Sequence, residues 1–518
     1  MKNTIVTSLL FIFLASATCF AQISSKKIDS LVLEALVKFK VAGASVAVVK
    51  DGKVIHLKGY GVADINTKKP VNENTNFQIA SNTKAFTSAA LAILEDEGKI
   101  KWTDKVKDHI PEFKMYNDYV TENFNIQDLL THRSGLGKGA GDLMFYPDGS
   151  DFTIKDVVSS FQHFKPVSDF RTKYDYDNLL YLVAGEVIAR ASGMSYDAFV
   201  QKRIIEPLKM NNTFVGSSLM KDKSNLATPH STESGTIKTV DAYTKNKDLN
   251  AAGGITSNAA DMAKWMIIRL NKGKYGTDLK TSLFSLKNHN EMWRIHTVTP
   301  TNSDPRYNSH FSGYGLGWNL RDVKGNLNVF HAGGIPGMLS FVTMYPDLNL
   351  GIVILTNTNS GGGLNYSVFN TIADSYLGLD DFGWTEKRVA LMNQRRSGGD
   401  EVTNKVWAKV EAVKNTPVKN EDYIGVYEDK WFGKIEVFEK DKQLYFKSYR
   451  SPKLNGPMAF YNANTFAIKW DYQAMNCDAF AMFSLDETGK AQSIKMKGIS
   501  PNIDFSFDFH DLDLIRIN

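Results

Sequence analysis

Ser81 and Lys84 stand three residues apart in "QIASNTKAF" (78–86), at the head of the apolar run "AFTSAALAILEDEG". A serine hydroxyl is a poor nucleophile near neutral pH until a base within hydrogen-bond reach takes its proton. Positions i and i+3 share a helix face, so the Lys84 amine can reach the Ser81 hydroxyl. A lysine in a dry pocket near other cations or donors releases its proton more easily and becomes such a base. The start of the helix adds N–H groups and positive partial charge that favour a developing oxyanion. The spacing alone decides little. Ser24–Lys27 and Ser218–Lys221 repeat it, and a serine at a helix start is also an ordinary N-cap. Ser81 differs in opening a helix apolar enough to be core.

Two further stretches carry chemistry-bearing side chains. In "YDYDNLLYLVAGEVI", Tyr176 and Asn178 flank Asp177. In an extended loop, side chains at i and i+2 point the same way. A phenol can shuttle protons, and an amide can hold both a lysine and a substrate carbonyl; a plain turn with Asn178 as helix cap fits the same residues. In "VFHAGGIPG", an apolar strand leads into His331-Ala332-Gly333-Gly334. Glycines let a substrate lie close to a strand edge. A backbone N–H there could pair with that of Ser81 around an oxyanion, or the segment is a glycine-rich strand end with a structural histidine. His132 and Ser134 in "THRSGL" read as a loop-fixing turn, and Gly253-Gly254 with Ser257 as a turn plus N-cap.

These side chains need elements to position them. Apolar spacing predicts an amphipathic helix over 26–39. "GASVAVVKDGKVIHLKGYG" predicts a hairpin turning at Asp51-Gly52, and Gly98 predicts the end of the Ser81 helix. Late in the chain, "NVFHAGG", "LSFVTMYP" and "LGIVILTN" predict neighbouring antiparallel strands, with 347–349 as a turn. Strands at both ends with helices between predict an α+β fold in which one sheet joins the chain's beginning and end. Residues 379–419 read as a linker with one or two surface helices, flexible at Ser397-Gly398-Gly399. From 420 to 518 the pattern has period two, including "KIEVFEKDKQLYFKSY", "SIKMKG" and "IDFSFDFHDLDLI", which predicts a small barrel-like or lipocalin-like β domain.

In this order, the three motifs resemble the serine β-lactamase and penicillin-binding-protein superfamily, and most closely its class C branch, whose second motif is Tyr-x-Asn. "LLTHRSGL" (129–136), "AGGITSNAADMAKWM" (252–266) and "GYGLGW" (313–318) resemble that branch as well. The resemblance covers roughly 28–378, within a hydrolase domain expected over 22–378. It implies an antiparallel sheet flanked by helices with a largely helical second lobe. It also implies Ser81 as acylated nucleophile, Lys84 as its base and Tyr176 as proton relay. Asn178 would hold Lys84 and the substrate amide, and the N–H groups of Ser81 and Gly334 would form the oxyanion hole beside His331 and Gly333. His331 stands where β-lactamases usually carry a lysine. A His-x-Gly third motif is more familiar in peptidases, D-aminopeptidases and esterases of the superfamily. Asp177 is less usual than a small residue at its position.

The 518 residues are 43% hydrophobic and 23% charged, an ordinary globular balance. Lys2, the apolar "IVTSLLFIFLASAT" and "CFAQ" read as a signal peptide cleaved after Ala21. Lipidation at Cys19 fits less well, because Ser16-Ala17-Thr18 makes a poor lipobox. Cleavage leaves Cys477 without a partner for an internal disulfide. No later apolar run reaches membrane-spanning length. The net charge of +5 is a weak field over this length, with no Lys/Arg block suited to nucleic acid. No histidine spacing suits a metal and no glycine motif suits a nucleotide, so no cofactor is expected.

The expected protein is an exported, periplasmic or secreted serine hydrolase acting on a small-molecule or peptide substrate. A peptidase, D-amino-acid amidase or carboxypeptidase-type activity comes first. A β-lactamase or carboxylesterase of the same family, and a non-catalytic penicillin-binding-like sensor, are the alternatives. The substrate itself and the oligomeric state are not readable from the chain.

Overall fold

Ser24 accepts a hydrogen bond from the Lys27 backbone N–H (3.3 Å) and so serves as N-cap of helix α1, Ser25–Lys38. Here the Ser-x-x-Lys spacing marks nothing but a helix start. The computed structural model describes residues 22–518 except 217–218, 221, 234, 244–249, 302–303, 475 and 518, and only the backbone for 395–400. The expected signal peptide with Cys19, and the pair Ser218–Lys221, lie outside the described residues.

The apolar face of α1 (Ile28, Leu31, Val32, Ala35, Leu36) covers one side of a sheet. Strands β1, Gly43–Lys50, and β2, Lys53–Gly61, form the predicted hairpin. Asp51 and Gly52 both have positive φ (51° and 72°), the type I′ geometry that matches strand twist. The helical lobe contributes α2, Thr83–Asp96, α3, Leu179–Ser192, and α4, Ala259–Leu270. The sheet is completed by β3, Thr297–Val298; β4, Ser312–Tyr314; β5, Asn319–Val323; β6, Asn326–Ile335; β7, Met338–Tyr345; and β8, Leu350–Thr356.

All neighbours in the order β3-β4-β5-β6-β7-β8-β1-β2 are antiparallel. Pairing of Ala44 with Thr356 and of Val48 with Ile352 joins the start of the domain to its end, as predicted. The central strands are buried on both faces. Val46, Val48, Ile352 and Ile354 face α1 and α5, Gly361–Tyr376, whereas Ala47, Val49, Val353 and Leu355 face the helical lobe. Every residue of α2 from Thr83 to Leu94 is buried, and Phe86 stacks on Trp265 of α4 at 4.1 Å. Burying one phenylalanine in this way contributes about 1.5–3 kcal/mol, which anchors the helix that carries Lys84.

Where composition predicts a flexible break at 397–399, the backbone continues as one helix, α6, Trp384–Val413. Neighbouring structure holds both ends. The Trp384 indole donates to Asp374 Oδ2 (2.7 Å), and the Trp407 indole to Asp478 Oδ2 (3.0 Å) in the C-terminal domain. That domain is a closed barrel of eight antiparallel strands, sealed by pairing of Tyr427 with Arg516. Alternate residues such as Ile435, Val437, Leu444 and Phe446 fill its interior. One predicted strand is absent. Of "IDFSFDFHDLDLI", only Leu514–Arg516 is strand, and 503–513 is a loop with a 3-10 turn at Phe509–Asp511. Its alternation is real but satisfied differently. Phe505 packs edge-on against Tyr176, Phe507 against Tyr146, and Phe509 stacks on Trp470. No helix among the described residues is long and apolar enough to cross a membrane.

Candidate active site

Ser81 sits in a single 3-10 turn, Ala80–Asn82, ahead of α2, and its side chain makes no capping bond. The sequence reading that Ser81 caps the helix is thus corrected: its hydroxyl is left to face Lys84. The preceding Ala80 has φ +46°. A residue with a Cβ held there stores about 1–3 kcal/mol, and neighbouring structure must impose it. Three bonds do so. Ile79 N–H donates to Ile255 O (2.9 Å), Ser340 Oγ donates to Ile79 O (2.6 Å), and Asn82 Nδ2 donates to Ser340 Oγ (2.7 Å). Ser340 lies on β7, so the central sheet clamps the turn that presents Ser81.

Lys84 is fully buried. Its amine reaches Ser81 Oγ at 3.3 Å, Asn178 Oδ1 at 2.6 Å and Ala252 O at 3.0 Å, over the rings of Tyr176 and Tyr181. Burial pushes its pKa down to about 7, against the pull of Asp142 and Asp177. Asn178 in turn donates from Nδ2 to Asp142 Oδ2 at 2.8 Å. That bond and the Lys84 contact agree on one orientation of the amide, with Nδ2 toward Asp142 and Oδ1 toward Lys84. Asp142 is buried too, which raises its pKa well above the usual range, while its bonds from Ser506 and Asn178 pull the other way.

The second motif is held by its neighbours. The Asp177 carboxylate, not Asn178, caps α3 by accepting from Leu180 N–H (3.3 Å), which leaves the Asn178 amide for Lys84. Burial pushes the Asp177 pKa up to about 7. His132 Nδ1 accepts from the Asp177 N–H (3.1 Å), and its ring packs on Tyr176 and Tyr314 at 4.2 and 4.6 Å. The loop-fixing role read from "THRSGL" is what these contacts describe. The Tyr176 hydroxyl is buried beside Ser81, with no hydrogen bond of ordinary geometry among the described residues, and burial raises its pKa well above the normal phenol value. The cap of α4 falls one residue later than expected, on Asn258, whose side chain accepts from Asp261 N–H; Ser257 Oγ instead bonds Thr213 Oγ1.

Strand β6 brings the third motif beside the nucleophile turn. A Cβ on Gly333 would lie 2.2 Å from Ile79 O and 2.4 Å from Ser340 Oγ, so only glycine lets β6 pass this close to Ser81. His331 Nδ1–H donates to Ala332 O (2.6 Å), which leaves Nε2 to accept from the Tyr314 hydroxyl (2.8 Å). Burial, with repulsion from Lys84, pushes its pKa down to about 3. His331 is therefore a neutral, doubly bonded side chain and not a cation.

A cavity of about 490 Å³ opens above these groups. Ser81, Tyr176, Asn178, His331, Gly333 and Gly334 line it, and Lys84 lies behind them. Sequence reasoning did not find Asp142, Ser340, Tyr174, Tyr243 or Tyr314. Nor did it find the barrel's share of the wall, Asp504, Phe505 and Ser506. The one sequence signal for that wall was the alternation in "IDFSFDFHDLDLI", which points equally to a strand.

The chain belongs to the beta-lactamase family, which residues 28–373 match, and residues 410–516 match a domain of unknown function (DUF3471). Among curated relatives, unguisins hydrolase ungD′ of Aspergillus campestris is 30% identical over 65% of this chain and 62% of its own length. Protein flp of Staphylococcus aureus (strain MW2) is 30% identical over 65% of this chain and 64% of its own. The chain thus spans somewhat less than two thirds of these relatives. The structure of the octameric penicillin-binding protein homologue from Pyrococcus abyssi superimposes with a TM-score of 0.60 at 19% identity, covering 95% of this chain and all of that one. That likeness establishes the same fold, barrel included.

Proposed function

We propose that this protein is an exported serine hydrolase that cleaves an amide or ester bond through an acyl-enzyme on Ser81. The observation that carries this reading is Lys84: a lysine buried until its pKa falls to about 7, 3.3 Å from a serine hydroxyl. Neutral Lys84 takes the Ser81 proton as Oγ attacks the substrate carbonyl carbon. The resulting oxyanion is met by the N–H groups of Ser81 and Gly334. The C–N or C–O bond then breaks, and the leaving group takes a proton relayed through Tyr176. Water attacks the acyl ester, releases the acid, and returns the proton to Ser81.

A peptide or amide containing D-amino acids is the favoured substrate class. Family membership and the kinship to a protein named as a hydrolase of unguisins support a hydrolytic role. Neutral His331 offers no fixed charge for a β-lactam carboxylate, and among the described residues that line the pocket the charged side chains are Lys138 and Asp504. Export rests on the signal-peptide pattern of residues 1–21.

The test is a panel of D-amino amides, D-Ala-D-Ala peptides, a chromogenic β-lactam and p-nitrophenyl esters, run with wild type and Ser81→Ala. Turnover and a covalent adduct on Ser81 by intact mass are expected from wild type alone. Turnover by Ser81→Ala at the wild-type rate overturns the assignment.

A further inference from the structure

The C-terminal barrel sends loop 499–513 back onto the helical lobe, and the contact is close. A Cβ on Gly139 would lie 2.7 Å from Phe505 O and 2.9 Å from its ring, so the lobe presents bare backbone to the loop. Asp508 accepts from the N–H groups of Gly141 (2.7 Å) and Leu143 (3.0 Å), fixing the turn Asp142–Met144. Ser506 Oγ donates to Asp142 Oδ2 at 2.7 Å, the same oxygen that receives the Asn178 amide. A chain of side chains therefore runs from the barrel to the base: Ser506, Asp142, Asn178, Lys84. Beside it, the Phe505 ring meets Tyr176 edge-on at 5.7 Å, and the Lys138 amine lies over the same Phe505 ring, 4.3 Å from its centroid, at the cavity rim.

Resting on the hydrolase reading above, we infer that this domain of unknown function supplies part of the active site. Ser506 is a positioning residue that orients Asn178, and hence Lys84, through Asp142. Phe505 is the wall that limits the size of the group bound against Tyr176. The argument for Ser506 is geometric. Both described donors to the Asp142 side chain, Ser506 Oγ and Asn178 Nδ2, meet the same oxygen, Oδ2, and among the described residues Oδ1 has no hydrogen-bond partner. With Ser506 gone, one donor remains, and the carboxylate is free to rotate away from the orientation that presents Asn178 Oδ1 to Lys84.

The test uses the full chain, with steady-state turnover of the best substrate and the labelling kinetics of short- and long-chain fluorophosphonates. Ser506→Ala is expected to lower kcat about tenfold, the scale of one lost hydrogen bond to a carboxylate, with KM nearly unchanged. Ser506→Thr, which keeps the hydroxyl, should recover most of the rate. Lys165→Ala breaks an exposed ion pair to Asp513 at the same interface and should leave the rate unchanged. Phe505→Ala should raise labelling by the long-chain probe relative to the short one several-fold. A Ser506→Ala enzyme with wild-type kcat, or an equal loss in Ser506→Thr, overturns the positioning role; an unchanged chain-length preference in Phe505→Ala overturns the wall. Absence of both labelling and turnover in wild type would instead strike the hydrolase reading itself.

Discussion

Lys84 and Asn178, 94 residues apart in the chain, meet at 2.6 Å inside the helical lobe, with the amide oxygen accepting from the lysine amine. With Ala252 O at 3.0 Å, the contact holds the buried amine within 3.3 Å of Ser81 Oγ.

Lys84→Met fills the same space without a titratable group. The expected loss in kcat/KM is about 10³-fold or more, within the range of proton-transfer groups. Because nucleophile and base act as a unit, the double variant with Ser81→Ala should be little worse than either alone. In wild type, kcat/KM should fall with acidification through about pH 7, as Lys84 becomes an ammonium. Asp177 titrates in the same region, so Asp177→Asn, which keeps an oxygen for Leu180 N–H, is the background that isolates Lys84. A flat profile from pH 5 to 8.5 in that background would remove Lys84 from the role.

The same burial makes a stability prediction of definite sign. Folding depresses the Lys84 pKa from 10.5 to about 7. Between those values the unfolded chain holds a proton that the folded chain does not, so the Lys84 contribution to stability rises with pH across that window. Chemical denaturation at pH 7 and 9.5 should show wild type gaining on Lys84→Met by roughly 2–3 kcal/mol. A constant gap between the two proteins would mean that Lys84 stays protonated when folded.

His331 should not titrate between pH 5 and 8, because burial and Lys84 hold its pKa near 3. Imidazole nitrogen NMR should show a neutral ring protonated at Nδ1, the donor to Ala332 O. A protonation midpoint near the unperturbed value of about 6.5 would mean that this residue can serve as the cation that a third-motif lysine supplies elsewhere in the superfamily.

Gly333→Ala should destabilise the protein by about 1–3 kcal/mol, as overpacking does in a filled site, and lower kcat as well. The added methyl would press on Ile79 O and Ser340 Oγ, the atoms that hold the turn before Ser81. Wild-type melting and turnover would show that β6 can move away without cost.

Much of this arrangement was legible in the chain. Apolar runs of the right length and period marked β1, β2, β6, β7, β8 and α2, because each must bury a face and the period of its apolar residues matches one regular conformation. Ser81–Lys84 and Tyr176–Asn178 were legible because local geometry allows those side chains to meet and the ordered motifs resemble a known family; the same Ser-x-x-Lys spacing at Ser24 marks only a helix cap. Asp142, Ser340 and Tyr314 were not, since each meets the site across tens to hundreds of residues and no local period records such a contact. The alternation of 503–515 misled because period two specifies alternate facing, and a strand is one way of using it. Docking Phe505 and Phe507 on a second domain is another.

The sequence by itself carried the family resemblance, through the order of its motifs, and an α+β fold followed by a β domain, because element type follows from local period and from which faces must be buried. Only the tertiary structure decided that Lys84 is dry enough to lose its proton near pH 7, that His331 is neutral, and that Ser506 of the barrel bonds to Asp142. Those properties depend on burial and on partners distant in the chain. A residue's proton affinity and orientation are set by what surrounds it in space, and that information exists only once the chain has folded.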